Sequence, residues 1–170
     1  MKILFLALLT IGGVCSVVPA QELNTVKNGG FEEDADSDGM ADYWQYAGDQ
    51  GVTVSWMRDA GRIGQFSQKL TCTRFGSQSP ASHVMLCQLN TVHLNKGTWY
   101  KISFSAKQQG IPGRAIHVAI SNTKSWSNCG LQESFRASSQ WKDFEFRFRA
   151  AETVSEHTRL QFWYTSTGSF

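Results

Sequence analysis

Apolar residues recur at every second position in several short runs, turn-forming stretches separate those runs, and no window of helical length carries a 3.6-residue period. Together these observations predict an all-β chain: a β-sandwich of the jelly-roll kind with about eight or nine antiparallel strands.

In chain order, the first alternating run is Val52, Val54 and Trp56, followed by strand-length stretches at 66–73 and 83–89. Tyr100, Ile102, Phe104 and Ala106 then alternate with Lys101, Ser103, Ser105 and Lys107. Ile116, Val118 and Ile120 predict another strand, and Phe144, Phe146 and Phe148 alternate with Asp143, Glu145, Arg147 and Arg149. The stretch 159–165 is the last strand. Alternation of this kind gives each strand one dry and one wet face, the mark of antiparallel pairing. Turns fall at Asn95-Lys96-Gly97, at Gly110-Ile111-Pro112-Gly113 and at 137–140.

The amino terminus has a different character. Lys2, the apolar run from Ile3 to Leu9 and the small-residue exit Val18-Pro19-Ala20 follow the order of a signal peptide, with cleavage expected after Ala20. The expected organisation is therefore a leader at 1–20 and one sandwich domain at 21–170, exported to the extracellular space or the periplasm. No later stretch approaches the roughly 18 to 20 apolar residues of a membrane helix, so no membrane partner is expected. Removing Lys2 lowers the formal charge from +2 to +1, which gives no reason to expect a nucleic acid. Three cysteines would remain after processing, Cys72, Cys87 and Cys129. In an oxidising compartment that is one pair and one spare, with Cys72 and Cys87 the pair expected.

The densest chemistry lies in Asp34-Ala35-Asp36-Ser37-Asp38-Gly39-Met40-Ala41-Asp42. Carboxylates at relative positions 1, 3, 5 and 9 around a turn glycine at 6 suit a hard, oxygen-seeking cation such as calcium. Position 12 is Gln45 instead of a bidentate Glu, and the flanks are strand-like, so the loop lies outside a helix-loop-helix hand. A solvated acidic turn is the plainer alternative.

The opening Asn28-Gly29-Gly30-Phe31-Glu32, the acidic loop and Asp42-Tyr43-Trp44 resemble the start of carbohydrate-binding modules of families 4, 9, 16 and 22. The segments 96–107, Gln140-Trp141-Lys142-Asp143-Phe144-Glu145-Phe146 and Arg159-Leu160-Gln161-Phe162 fit the same pattern, in the same order. The resemblance implies a jelly-roll module that binds a polysaccharide of the xylan or β-glucan class, serves an attached glycoside hydrolase or lyase, and carries a structural calcium. It points to Glu32 as the best side-chain metal ligand, with Asp34, Asp36, Asp38 and Asp42 a second set or part of the same one. It also implies a closing strand that supplies a further Asp, and Thr167-Gly168-Ser169-Phe170 fall where that strand should begin. The chain is then a fragment, or its site is completed differently.

Sugar binding rests on flat aromatic rings with a few polar groups beside them. By resemblance Trp44, Trp99 and Trp141 are structural, and Gln88 is a hydroxyl-binding residue. The sequence itself favours Trp126, because it sits in the polar segment 121–128, where a core role is hard to assign. Strand parity turns Trp163 opposite to Tyr164, so one of the two lines a wet face. Trp56 ends its strand, and His117 alternates outward from Ile116 and Val118. A structural or adhesive spacer is the alternative function. Catalysis is not expected: the carboxylates crowd one loop or lie on wet faces, and there is no G-x-S-x-G elbow.

Overall fold

The computed structural model describes residues 26–76 and 81–170, together with the backbone of Leu4–Leu8. Its strands are β1 (Leu4–Leu8), β2 (Gln45–Gly48), β3 (Val52–Ala60), β4 (Phe66–Phe75), β5 (Val84–Leu89), β6 (Trp99–Ala106), β7 (Ala115–Asn122), β8 (Asn128–Arg136), β9 (Lys142–Arg149), β10 (Thr158–Tyr164) and β11 (Gly168–Ser169). One short 3-10 turn, Pro112–Arg114, precedes β7. Among the described residues no helix is long and apolar enough to cross a membrane. The chain is an all-β jelly-roll sandwich, as the alternation predicts. β2, β8 and the short β1 and β11 are strands that the periodicity does not single out.

One layer is a five-stranded sheet in the order β2-β5-β10-β7-β8, antiparallel throughout. The other consists of two three-stranded pieces, β11-β4-β3 and β1-β6-β9. A single core joins the layers, with Leu70 and Cys72 from β4 and Ile102 and Phe104 from β6 meeting Ile116, Val118, Leu160 and Phe162. The Phe104 ring lies 4.9 Å from Phe135 and 5.0 Å from Phe162, both edge-on. Such contacts stabilise beyond the burial of apolar area. Every fully buried member of β6, β7 and β10 in this core falls in the inward phase of its strand, which makes the strand register hard to slip.

The two pieces of the second layer are tied to each other more lightly. Ser169 bridges to Gln109, and Phe170 exchanges backbone bonds with Leu70. Further along, the link passes to side chains: Arg62 with Asp143, and Lys107 with Asp59 at 4.0 Å. A cavity of about 150 Å³ lies on this seam, lined by Ser67, Lys69, Ser105, Lys107, Trp141 and Phe170 among others.

Several expectations meet the structure here. The expected leader, 1–20, lies outside the described residues except for Leu4–Leu8, whose backbone runs antiparallel to β6, with Leu4 opposite Ser103 and Leu8 opposite Trp99. Trp44 is in the core, and its Nε1 donates to the Asn28 carbonyl at 3.1 Å. Trp99, expected to be structural, is 49% exposed, because it is out of phase with Tyr100, Ile102 and Phe104. Trp141 is half-buried beneath the Lys107 ammonium, 4.9 Å from its ring. The expected Cys72–Cys87 bridge is not present: all three thiols are free and buried. Cys72 points into the core from β4, whereas Cys87 faces outward from β5, so the two cannot meet across the sandwich.

Candidate functional site

With Leu160, Phe162 and Tyr164 committed to the core, alternation leaves Arg159, Gln161 and Trp163 on the outer face of β10, the middle strand of the five-stranded sheet. Register then assembles rows across the strands. Gln45, Cys87, Gln161, Ala119 and Gln132 form one row, and Ala47, Met85, Trp163, His117 and Ser134 form the next. The first row is three amides set over a floor of small side chains. The second holds a ring pair, Trp163 on His117, with centroids 5.0 Å apart and planes 23° from parallel. Ser134 Oγ lies 2.7 Å from His117 Nδ1 and fixes the imidazole plane.

Gln161 is the polar centre of this face. Its Nε2 donates to Ser121 Oγ at 3.4 Å, while its Oε1 is shut from solvent without a partner. A buried acceptor left unpaired costs about 1–3 kcal/mol.

Trp126 enters the same region from the β7–β8 turn. It is 65% exposed and has a positive φ of 59°, which a non-glycine residue adopts at a cost. The turn around it is held at several points. Asn122 Oδ1 accepts from the backbone N–H groups of Lys124 and Ser125, and Trp126 N donates to the Asn122 carbonyl at 2.8 Å. Glu152 anchors the turn from outside, accepting from Ser127 Oγ at 2.8 Å and Asn122 Nδ2 at 3.0 Å. Those two bonds hold the Glu152 carboxyl below the usual range. Arg159 places its guanidinium 5.1 Å from the Trp126 ring centroid, joining the turn to the outer face of β10.

Of the residues singled out in the sequence, Trp163 and His117 are thus stacked on each other, and Trp126 reaches the same face beside Arg159, four residues along β10 from Trp163. Gln88 does not: it is 0% exposed in the inward phase of β5, where it accepts from Lys27 N at 2.9 Å and donates to Lys27 O at 2.8 Å. Tyr164 is buried, and its hydroxyl donates to the Gly168 carbonyl at 3.0 Å. Trp56 is 39% exposed on β3, in the other layer, and stacks on Tyr46 at 5.7 Å. Sequence reasoning overlooked Gln161, Arg159, Gln45, Gln132 and Glu152. The parity that turns Trp163 outward also turns Gln161 and Arg159 outward, although Gln161 is buried there among its neighbours; Glu152 carries no local signal.

The acidic loop forms a second cluster. Asp34, Asp36 and Asp42 offer carboxylate oxygens all within 4.8 Å of one another. The Asp34 side chain is 3% exposed; its Oδ2 pairs with Arg58 Nε at 3.1 Å, and its Oδ1 is buried with no partner. Ser37 and Gly39 take positive φ, 60° and 83°, to turn the loop. Asp38 stays outside the trio and accepts from Met40 N at 2.7 Å. Glu32 is drawn away to the β3–β4 turn, where its Oε1 accepts from Gln65 N at 3.0 Å. An orphan carboxylate oxygen beside two more carboxylates fits a hard divalent cation.

Comparison with known proteins adds the family. The carbohydrate binding domain family CBM_4_9 matches residues 23–167. A solved structure described as "CBM4 structure and function" is 23% identical with a TM-score of 0.55, covering 85% of this chain and 94% of that one. The enzymatically active domain of tailspike protein 4 of bacteriophage CBA120 is 13% identical with a TM-score of 0.53, covering 86% of this chain and 20% of that one. These two likenesses are of fold. No curated protein matches the chain. With the family matched over nearly its whole length on a jelly-roll sandwich, the chain belongs to the CBM_4_9 carbohydrate-binding domains, which are non-catalytic binding modules.

Proposed function

We propose that the outer face of the five-stranded sheet binds an extended polysaccharide of the xylan or β-glucan class, in a secreted module that directs an attached glycoside hydrolase or lyase to it. The observation that carries this reading is the placing of the Trp163–His117 ring pair beside the Gln45, Gln161 and Gln132 amide row, with Trp126 at the Arg159 end of the same face. Rings supply flat apolar contact for sugar faces, and amides supply donors and acceptors for hydroxyls. The rows cross the strands, so a chain of sugar rings laid along them meets side chains from all five. Export is proposed from the leader sequence alone.

The same reading assigns a structural calcium ion to Asp34, Asp36 and Asp42. Its support is the unpartnered Asp34 Oδ1 and the closeness of the three carboxylates. The ion would fasten the loop that leads into β2, the edge strand of the binding sheet.

Affinity electrophoresis and titration calorimetry against xylan, mixed-linkage β-glucan, mannan and pectin test the proposal. Trp163→Ala is expected to weaken retention about tenfold or more, equivalent to about 1.4 kcal/mol. Trp99→Ala, which removes an exposed ring from the other layer, is expected to leave it unchanged. Equal losses from both variants, or no retention of any polymer by a folded chain, would overturn the assignment.

A further inference from the structure

The five strands of the binding sheet contain one acidic residue, Glu133, and it lies opposite Val118, in the inward phase of the edge strand β8. Their outward positions hold two arginines, Arg159 on β10 and Arg136 on β8, together with His117. Several basic side chains elsewhere are matched: Arg58 with Asp34, Lys69 and Lys107 with Asp59, Lys101 and Arg147 with Glu145, and Arg62 with Asp143. Neither Arg159 nor Arg136 meets a carboxylate among the described residues.

Arg159 is the more telling of the two. Its Nε is shut from solvent and meets no acceptor, and the Trp126 ring holds its guanidinium in place beside the amide row. A planar guanidinium fixed by an aromatic ring, with no internal counter-charge, is built to receive a carboxylate from outside. A neutral sugar hydroxyl takes a single guanidinium N–H, whereas a carboxylate takes two in parallel and supplies the missing counter-charge.

We infer that the polysaccharide taken by this face carries uronic acid groups, and that Arg159 receives their carboxylates. The inference rests on the glycan-binding reading of the same face and narrows its ligand class. The acid is either a side group on a neutral backbone, as in a glucuronoxylan, or the backbone unit itself, as in a polygalacturonate.

The test measures retention of the chain on glucuronoxylan, on the same xylan with its uronic side groups removed, on polygalacturonate and on its carboxyl-reduced form. At least one acidic polymer is expected to be held about tenfold more tightly than its neutral counterpart, and the preference is expected to shrink between about 0.05 and 0.5 M salt. Which acidic polymer is held identifies the source of the carboxylate. Arg159→Gln is expected to abolish the preference without lowering the melting temperature, because it removes an unpaired donor. Arg159→Lys should keep part of the preference, and Arg147→Gln, an exposed change on the other layer, should keep all of it. Equal retention of acidic and neutral forms, or a preference that survives Arg159→Gln, overturns the inference and leaves the glycan-binding reading standing. Retention of none of the four polymers, nor of mixed-linkage β-glucan or mannan, removes both.

Discussion

Replacing Gln88 with alanine separates a structural role from a ligand role at a residue that the family resemblance offers as a sugar contact. Its side chain is completely buried, accepts from and donates to the Lys27 backbone, and accepts from Thr91 Oγ1. These bonds stitch the segment holding Val26, itself a core residue, onto β5. Each neutral hydrogen bond contributes about 1 kcal/mol net, so losing three, with a small cavity left behind, costs about 3–4 kcal/mol. For a domain of this size 1 kcal/mol moves the melting temperature by about 2–4 °C, so the midpoint should fall by roughly 6–15 °C. Gln88→Leu keeps the volume and should lose nearly as much, isolating the hydrogen-bond part. Thermal unfolding by circular dichroism measures the drop, and calorimetry on the glycan that the wild type retains should give an unchanged affinity at a temperature where the variant is folded. Full stability with lost glycan affinity would refute the placement of Gln88 in the core and return it to the binding site.

Four other outcomes follow from the geometry. Because the Glu152 carboxyl is held below its ordinary value, its contribution to the Trp126 turn is present above the unfolded carboxylate range and is lost as the pH falls through the folded value. Tryptophan emission and glycan retention should therefore change below about pH 4 in the wild type, while Glu152→Ala should show the altered emission at neutral pH; an unaltered spectrum at neutral pH would refute the anchor. The native thiols should be silent to thiol reagents near pH 8: burial raises Cys72 and Cys87, and burial together with Glu152 pushes Cys129 up to about 12. In the chain without residues 1–20, three reactive thiols should appear on unfolding without reductant, whereas a single one would show a bridge. Calcium should raise the melting temperature of the wild type and of Glu32→Gln but not of Asp34→Asn; an equal rise in all three would place the ion elsewhere. Finally, Trp126→Ala should weaken glycan retention with little loss of stability, since its ring is mostly exposed.

Strand parity made much of this legible before any coordinates. Phe162 and Tyr164 must share a face that Trp163 does not, and once the core claims the first pair the third becomes a surface ring. The same logic covers His117 and would have covered Gln161. What parity cannot supply is which side chains meet across strands. Gln88 looks like a polar residue on an amphipathic strand, but β5 is buried along most of its length, so polarity there marks an internal hydrogen-bond site. β8 was missed because Gly130 and the run Gln132-Glu133-Ser134 interrupt its apolar pattern, and its register shifts between Ala119 and Ser121 of its partner β7. The acidic loop was legible as a cluster, yet Asp38 turns back to cap Met40 and Glu32 leaves for the β3–β4 turn, choices made by tertiary neighbours.

The seam in the second layer has a dynamic consequence. From Phe66 to Lys69, β4 has no neighbouring strand on its β11 side among the described residues, and the two pieces of the layer communicate there through Arg62–Asp143 and Lys107–Asp59. Exposed ion pairs contribute about 0–1 kcal/mol and are screened by salt, whereas a backbone ladder is not. The sandwich is thus expected to open first along this line, by a partial unfolding far cheaper than the global one. Amide hydrogen exchange should be fast along the open margin of β4 from Phe66 to Lys69 and should accelerate with ionic strength, while the amides of β10, flanked by strands on both sides, exchange only when the whole domain unfolds.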